Sequence, residues 1–467
     1  MGNCDCNVKD INWNEGDDSN KLKISDFALL YPIGRGGFGR VWKVRLKRQY
    51  SPNTLDERLL KNKSRIFAMK EMSKAKVCLK KSIESVANER NFLEKFNYNL
   101  LCNMYYAFQD EETLYIVMDY LSGGDLRFHI CRRAFFTEEE TKFIAACITL
   151  SLNYIHEKNV VHRDLKPENL VFGEDGYLRL TDFGIAMEYH KGSDVVSASG
   201  TPGYMAPEAM LNKPHDFSVD YFALGVIIYE LMIGERPYQG KNRKEIKEQM
   251  FTLEIQLDKD DLPEDWNDEN ILDIINKLLR RKRGKRLGSK GCFEIRNHPW
   301  FQDIQWEKIE NCTLASPFVF DSEDNFDDSY AQKQDNDSIY EGQKDFYILE
   351  VNKSNQFNNF YFNIEDKYIA KENNDNNEKN NDNNDNNDNI ESVDLKDIQK
   401  GNKTYSTSKS SVKKIDNESI IVHNMRGNNR IKSVKFQNPP LDKGNRIIKL
   451  LKKDSRNDII IKESEDK

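Results

Sequence analysis

The stretch VHRDLKPENLVF, residues 161–172, decides the fold, because it sets charged groups between two apolar ends that are typical of buried strands. It holds an imidazole, two cations, two carboxylates and an amide within a few positions. Buried charged groups are costly unless they are paired, hydrogen-bonded or bound to a metal. Such a run therefore indicates residues that face a ligand.

A second polar stretch follows closely. LRLTDFG at residues 178–184 can form a hairpin with the end of the first stretch, because the intervening GEDG is a turn signal. The hairpin would place Asp164, Asn169 and Asp182 on one edge of a cleft. Their oxygen atoms suit Mg²⁺, which keeps several waters and bridges to substrate phosphates. With Lys166 as a point charge for a phosphate, the pattern predicts a site for a nucleoside triphosphate.

A glycine-rich loop upstream has the spacing of a phosphate-binding segment. IGRGGFGRV begins at Ile33 and carries Gly34, Gly36 and Gly39 in GxGxxG spacing. In a dinucleotide-binding fold this loop opens a helix, whereas here it precedes RVWKVRL, whose alternation is typical of a strand. The loop is therefore predicted to join two strands, with backbone N–H groups that can approach phosphates closely.

An acidic residue on an apolar helix face indicates a third part of the site. In the predicted helix KKSIESVANERNFLEKF, Glu89 lies on the same face as Val86 and Leu93. A carboxylate in a buried stripe needs a partner. Lys70, in the strand FAMK, is the candidate, and the pair would hold the ammonium group against the α and β phosphates.

Composition limits the classes of partner and compartment. The chain has 467 residues, a net charge of −7 and a pI near 5.7, which argue against a protein that coats nucleic acid with bulk positive charge. Its eight cysteines lack metal-ligand spacing, which favours a reducing compartment. We find no apolar span of membrane length and no secretory signal. A cytoplasmic location is predicted, unless lipids attach the chain to the inner face of a membrane.

The chain is predicted to contain one globular unit, residues 27–301, with tails on either side. Its first part alternates as short strands around one helix, and helices dominate from Gly123 onward. Thr137 and Glu140 have capping-box spacing at a helix start, and an apolar helix ends near Gly234. Residues 367–467, Asn/Asp-rich and then basic, cannot bury enough apolar surface to fold and are predicted to be disordered.

Five motifs together resemble protein kinases. GRGGFGRV, AMK, HRDLKPEN, DFG and APE occur in that family's order and spacing. The resemblance implies a bilobal α+β fold, with an antiparallel sheet and one regulatory helix in an N-lobe (27–118), a hinge near 119–122, and a mainly helical C-lobe (123–301). Lys166 and the segment GTPGYMAPE resemble the corresponding residues of serine/threonine kinases. The implied reaction therefore transfers the γ-phosphate of Mg-ATP to protein hydroxyls.

The resemblance also implies a role for individual residues. Asp164 would accept the proton of the substrate hydroxyl, Asn169 and Asp182 would hold the metal ions, and Lys166 would neutralise the moving phosphoryl group. Lys70 and Glu89 complete the catalytic set. The implied ATP-binding residues are Ile33, Gly34, Gly36, Gly37, Gly39, Val41, Ala68, Lys70, Met118, Asp119, Leu121 and Val171.

Within the kinases the chain is similar to the AGC group, including the YANK-like and cyclic-nucleotide-dependent kinases. KRLGSKGCFEIRNHPWFQDIQWEKI (285–309) and NFDD (325–328) carry this resemblance. It implies a C-terminal tail over residues 302–366 that crosses back to the N-lobe, with Phe326, Phe357 and Phe360 as docking residues. FNNFYF at 357–362 has Tyr361 where many relatives carry Ser or Thr, and the alternative is a chance aromatic cluster.

The same group suggests how the enzyme is controlled and what it selects. Ser197 lies where relatives carry an activating phosphate, which would pair with Arg163 and order the loop that contains Thr201. The positions that correspond to arginine-reading carboxylates in basophilic kinases hold Asp125, Glu168 and Glu230. A preference for basic sequence contexts is therefore predicted.

The N-terminal sequence contains candidate residues for lipid attachment. MGNCDCN offers Gly2 for myristoylation and Cys4 and Cys6 for palmitoylation, although Cys6 stands where the pattern asks for Ser or Thr. The predicted partners are protein substrates and a membrane surface, without nucleic acid, for a monomeric enzyme. The alternatives are a pseudokinase scaffold and a small-molecule phosphotransferase. The 49–65 segment is predicted to be an inserted loop.

Overall fold

The computed structural model describes residues 21–50, 56–133, 136–190, 199–320, 344–353 and 357–366, which all belong to the unit of residues 1–370. Some of the predicted features lie outside the described residues, namely Gly2, Cys4, Cys6, Ser197, Phe326 and the segment 367–467. No helix in the described ranges is long and apolar enough to cross a membrane.

One antiparallel sheet forms the first lobe. Within the described residues its strands are β1 (Phe27–Arg35), β2 (Arg40–Leu46), β3 (Ile66–Ser73), β4 (Met104–Gln109), β5 (Thr113–Met118) and, from the tail, β10 (Phe362–Asn363). Their order across the sheet is β1-β2-β3-β5-β4-β10. The glycine loop joins β1 to β2, so the prediction of a strand–loop–strand unit is confirmed.

Two strands of this sheet were absent from the sequence interpretation. β4 is buried on both faces over Met104–Phe108, so its residues show no alternation of apolar and polar side chains. β10 is only two residues long and pairs with β4 through Phe362 and Ala107. Neither strand has a periodic pattern that a single sequence could display.

In the described part of the first lobe three helices precede β4, where the sequence predicted one. These are α1 (Glu57–Lys61), α2 (Lys74–Leu79) and α3 (Ile83–Lys95). α1 lies in the inserted segment, where Asp56 caps its N-terminus and Leu59 is fully buried. Helices of one or two turns are too short for periodicity to reveal, because they are stabilised by caps and tertiary packing.

Helices dominate the second lobe, as predicted. In its described part they are α4 (Leu126–Arg132), α5 (Glu138–Glu157), α6 (Pro207–Met210), α7 (Ser218–Ile233), α8 (Arg243–Thr252), α9 (Asn270–Leu278), α10 (Phe293–Arg296) and α11 (Trp306–Glu310). Thr137 and Glu140 form the predicted capping box of α5. Gly234, with φ of +90°, ends the almost completely buried α7. The fold class, a bilobal α+β fold with an antiparallel sheet in one lobe and mainly helices in the other, is thereby confirmed.

Two short strand pairs and several single turns complete the described elements up to residue 320. β6 (Val160–Val161) pairs with β9 (Met187–Glu188), and β7 (Leu170–Phe172) pairs with β8 (Leu178–Leu180) as the predicted hairpin. The 3₁₀ helices of the described chain are Ile24–Asp26, Pro167–Asn169, Lys259–Asp261, Arg283–Lys285 and Pro299–Phe301.

The described part of the tail returns to the first lobe. Helix α12 (Lys344–Lys353) contacts α2, where the Lys74 ammonium donates to Asn352 Oδ1 at 3.0 Å. β10 then extends the sheet at its β4 edge.

Candidate active site

A buried ion pair links the sheet to α3. Lys70 Nζ on β3 lies 2.6 and 2.9 Å from the two carboxylate oxygens of Glu89, which is 3% exposed. Burial alone would lower the pKa of Lys70, but the carboxylates of Glu89 and Asp182 raise it above its usual value. The structure thus brings together Lys70 and Glu89, which the sequence predicted to form a pair. The Lys70 ammonium is charged.

Asp182 extends this pair into the cleft between the lobes. Its Oδ1 lies 3.8 Å from Lys70 Nζ, and that ammonium lowers the pKa of Asp182 against the effect of burial. Asp182 has a φ of +60°, a left-handed conformation that costs energy and is concentrated at functional sites. The following Phe183 is fully buried against Phe96 and His162, with ring centroids 5.0 and 5.3 Å away. This packing holds the Asp182 carboxylate at the mouth of the cleft.

The segment 163–169 arranges the remaining predicted catalytic side chains. Lys166 Nζ lies 2.6 Å from Asp164 Oδ2 and 3.0 Å from Thr201 Oγ1. The backbone N–H and hydroxyl of Thr201 donate to Asp164 Oδ1 at 2.9 and 2.8 Å. Asn169 Nδ2 donates to the Asp164 carbonyl at 2.9 Å. Thr201, which was predicted as a regulatory residue, therefore contacts the predicted catalytic Asp164 and Lys166 directly.

A residue that sequence reasoning missed holds this segment in place. Asp220, on α7 and 1% exposed, accepts hydrogen bonds from the backbone N–H groups of His162 and Arg163 at 2.9 and 2.8 Å. Its Oδ2 also lies 2.8 Å from His156 Nε2. Burial opposes ionisation, yet these bonds and His156 lower the pKa of Asp220 below its usual value. A carboxylate among the apolar residues of a buried helix was the available signal, as it was for Glu89.

The glycine loop forms a tight hairpin between β1 and β2. Gly36 N–H donates to the Gly39 carbonyl at 2.9 Å. A Cβ on Gly39 would overlap the carbonyl oxygen of Glu71 on β3, so glycine is required there by backbone proximity. Lys80 Nζ donates to the Gly37 carbonyl at 2.5 Å, which links the loop tip to the turn before α3.

The other predicted nucleotide-binding residues lie along the sheet and the hinge. Ala68 and Met118 face each other across β3 and β5. The Asp119 carboxylate is already used within the protein, because Asn103 N–H and Tyr105 Oη donate to it at 2.8 and 2.6 Å. The Asp119 N–H also donates to the Asn103 carbonyl at 3.0 Å, so neither its side chain nor its N–H is available to a nucleotide. Ile33 and Gly34 lie on β1, Val41 on β2, Leu121 in the hinge and Val171 on β7.

The donor set fits a magnesium-bound phosphate chain. Asp182 supplies a carboxylate that is 47% exposed and ionised, and Asn169 supplies an amide oxygen on the adjacent segment. One or two such oxygen ligands, with waters and phosphates, are what Mg²⁺ takes in nucleotide sites. The described residues contain no group of three His, Cys, Asp or Glu side chains that would make an all-protein metal cage.

Comparison with known proteins shows which family the chain belongs to. The protein kinase domain family matches residues 27–301, more than half of the sequence. The chain belongs to the protein kinase family. Such domains in general use ATP and Mg²⁺.

Relatives among characterised proteins refine the placement. A probable serine/threonine-protein kinase of Dictyostelium discoideum is 34% identical over 69% of this chain and 67% of its own length. Serine/threonine-protein kinase sgk-1 of Caenorhabditis elegans is 38% identical over 63% and 60%. The cAMP-dependent protein kinase type 3 of Saccharomyces cerevisiae is 32% identical over 67% and 74%. These similarities confirm the resemblance to AGC kinases and the assignment as a protein serine/threonine kinase.

Arg163, which was predicted to pair with a phosphate on Ser197, has an unusual environment. The Arg163 side chain is partly buried, and its Nε donates to the Ile185 carbonyl at 2.7 Å. Its Nη1 is buried without a hydrogen-bond partner among the described residues. Burial lowers the pKa of Arg163 from its usual value. An unpaired buried guanidinium nitrogen is costly, and Ser197, its predicted partner, lies outside the described residues.

The predicted peptide-reading carboxylates are close to a cation of the kinase itself. Arg127 on α4 donates through Nε to Glu168 at 3.0 Å and through Nη1 to Glu230 at 2.9 Å. The third carboxylate, Asp125, caps α4 by accepting from the Phe128 N–H at 2.7 Å. Arg127 could not be identified from the sequence, because nothing in the α4 sequence distinguishes it from a solvent-facing arginine.

The tail residues Phe357 and Phe360 are both buried beside α3. They are 5% and 2% exposed, with perpendicular rings 5.8 Å apart. Arg90 of α3 donates to the Phe360 and Tyr361 carbonyls at 3.2 and 2.8 Å. Further along, the buried Glu365 carboxylate lies 2.7 Å from Arg48 Nη2. These contacts join the tail to the same helix that carries Glu89.

Proposed function

We propose that the chain transfers the γ-phosphoryl group of Mg-ATP to serine and threonine hydroxyls of proteins. The observation that carries this proposal is the convergence of Lys70 on Glu89 and Asp182. These residues come from three separate segments and meet within 3.8 Å at the cleft between the lobes. An intact arrangement of this kind supports catalysis and gives no support to a pseudokinase scaffold.

Each side chain has a task that follows from its position. Lys70, fixed by Glu89, would bind the α and β phosphates, and Asp182 and Asn169 would hold a magnesium ion, which would supply positive charge to neutralise the phosphates. Asp164 orients the substrate hydroxyl and accepts its proton. Lys166, 2.6 Å from Asp164, places positive charge beside the transferring oxygens. Positioning and electrostatics do most of this work, because the transition state of phosphoryl transfer is loose.

A direct assay tests this proposed function. The purified chain, given radiolabelled ATP and Mg²⁺, is expected to phosphorylate a serine peptide at least about tenfold faster than the same peptide with tyrosine in its place. Chelation of Mg²⁺ with EDTA should abolish incorporation, and added Mg²⁺ should restore it. Tight ATP binding without transfer to any peptide would instead favour the pseudokinase alternative.

We also propose that a phosphate on Ser197 activates the kinase through Arg163. A phosphoserine carries a charge of about −1.5 to −2, and the buried Arg163 Nη1 lacks a partner among the described residues. Because the Arg163 backbone N–H is bonded to Asp220, an anion at its side chain would stabilise the segment that carries Asp164.

The Ser197→Ala variant is expected to lose about tenfold or more in kcat, and Ser193→Ala is the matched control from the same segment. Phosphopeptide mass spectrometry should show phosphate on Ser197 in active wild-type protein. Full activity of Ser197→Ala, measured with saturating Mg-ATP, would overturn the proposed switch.

The location of the kinase is also a proposal. The sequence MGNCDCN supports acylation at Gly2, Cys4 and Cys6, and two lipid signals suffice for stable membrane attachment where one does not. We propose a monomeric enzyme in the cytoplasm, attached to the inner face of a membrane by these groups. Its substrates would then be proteins near that surface.

A further inference from the structure

The Arg127 guanidinium makes more hydrogen bonds than the guanidinium of a surface arginine usually makes. Its Nε donates to Glu168 Oε1 at 3.0 Å, and its Nη1 and Nη2 donate to the two oxygens of Glu230 at 2.9 and 3.3 Å. Nη2 also donates to the Tyr204 hydroxyl, which itself donates to Glu230 Oε2 at 2.6 Å. All the donor nitrogens of the guanidinium are therefore bound.

The carboxylates that Arg127 binds differ in their access to solvent. Glu230 on α7 is only 4% exposed, and both of its oxygens already accept hydrogen bonds. The Glu168 side chain, on the 3₁₀ helix after Lys166, is 43% exposed and contacts Arg127 through one oxygen. A second guanidinium cannot bind Glu230 bidentately without displacing Arg127. It can still approach the outer part of Glu168.

We propose that Arg127 is a specificity-determining residue that fills the carboxylate subsite of Glu230 with a guanidinium of the enzyme, in the place that a substrate arginine would take. This inference rests on the proposed protein kinase function and narrows its predicted preference for basic sequences. The deep subsite, made of Glu230 and Tyr204, does not select arginine. Selection for a basic residue falls to Asp125 and the exposed part of Glu168.

Burial and charge explain why the enzyme keeps Arg127 there. Burial would lower the pKa of Arg127, but Glu230, Tyr204 and Glu168 raise it, so the guanidinium stays charged. A substrate arginine would have to displace Arg127 from an ion pair that is already formed. Binding of a separate peptide also costs translational and rotational freedom, whereas Arg127 is part of the enzyme and does not incur this cost. The enzyme's own arginine therefore excludes an incoming one from this subsite.

The rival interpretation is that Arg127 only ties α4 to α7. Stability and total activity would change in either case, but only a specificity role alters the dependence on arginine position. The experiment therefore uses serine peptides that are neutral except for one arginine, which is moved through the five positions before the serine. kcat/KM for each peptide is divided by the value for the peptide without arginine.

The wild type is expected to favour arginine at no more than one position, read by Glu168 and Asp125. The Arg127→Ala variant should gain a further position at which arginine raises kcat/KM about tenfold or more, mainly through KM. The double variant Arg127→Ala, Glu230→Gln should lose that gain. Because alanine leaves Glu230 unpaired and can impair folding, Arg127→Gln is tested in parallel, with the same new position expected.

Binding is measured separately with the same peptides carrying alanine in place of serine, by fluorescence anisotropy. This readout does not require transfer, so a kinase that binds these peptides but phosphorylates none contradicts the proposed function and still tests Arg127. The inference is overturned when both Arg127 variants keep the wild-type positional profile. It is equally overturned when the wild type already selects arginine at the position gained by the variants.

Discussion

Asp182→Asn is expected to lower kcat by about 10³-fold or more, at least as much as Asp164→Asn. Asp182 supplies a negative charge beside Lys70, whose ammonium lowers its pKa, so the carboxylate is ionised at neutral pH. Removing one electrostatic group from an active site costs about 10²–10³-fold, and a metal ligand whose loss also misplaces the phosphates should cost more. General base catalysis, the task of Asp164, contributes about 10²–10⁴-fold.

The substitution separates charge from backbone geometry. Asp182 has a φ of +60°, and asparagine is one of the few residues that adopt this conformation readily. The Asn variant should therefore fold normally and keep Phe183 buried, while it loses the charge that holds the cation. A raised Mg²⁺ requirement should accompany the lower kcat.

The measurement compares kcat for both variants with saturating Mg-ATP and a serine peptide. Asp265→Asn, the same chemical change at an exposed position of the second lobe, is the control and should stay within about twofold of wild type. Near-normal turnover of Asp182→Asn would contradict its assignment as a metal ligand. A far larger loss in Asp164→Asn would show that proton acceptance outweighs charge neutralisation in this enzyme.

Much of the active site could be predicted from the sequence because many of its residues lie close together along the chain. Asp164, Lys166 and Asn169 lie within six positions, and the β7–β8 hairpin that returns the chain to Asp182 has a clear turn. Glu89 could be paired with Lys70 because a carboxylate on an apolar helix face requires a cation. In each case the chemistry follows from short spacing or from a single buried charge.

Other contacts depend on how distant helices pack, which spacing does not encode. Arg127 and Glu230 are 103 positions apart, and Arg90 and Phe360 are 270 apart. Arg127 on α4 has no feature that separates it from a solvated arginine until α7 places Glu230 against it. The predicted basic preference therefore treated three carboxylates as available, whereas the structure shows Arg127 bound to two of them, Glu168 through one oxygen and Glu230 through both.

The second large effect concerns stability, at a buried ion pair in the second lobe that sequence reasoning also missed. Arg286 is 1% exposed, and its guanidinium binds both oxygens of Glu208 at 2.7 and 2.9 Å. It also donates to the carbonyls of Ser218 and Arg280 at 2.8 and 3.1 Å. These bonds join the end of the GTPGYMAPE segment to the start of α7, next to Asp220.

Arg286→Ala is expected to lower the free energy of unfolding by about 3–5 kcal/mol, because it leaves the Glu208 carboxylate buried without a counter-charge. Domains of this kind have only about 5–15 kcal/mol of stability in total. Chemical denaturation followed by circular dichroism measures the change. Arg283→Ala is the matched control, since the Arg283 side chain is 45% exposed and its pair with Asp216 spans 3.3 Å, which predicts a loss below about 1 kcal/mol.

A double variant distinguishes the loss of the pair from the cost of the orphaned charge. Arg286→Met combined with Glu208→Gln removes both charges, so it should be more stable than Arg286→Met alone, although the Ser218 and Arg280 carbonyls still lose their donor. If the two single losses simply add in the double variant, the residues are not coupled and the ion pair is not what stabilises this region. Coupling would mean that the attachment of the GTPGYMAPE segment to α7 depends on one buried guanidinium.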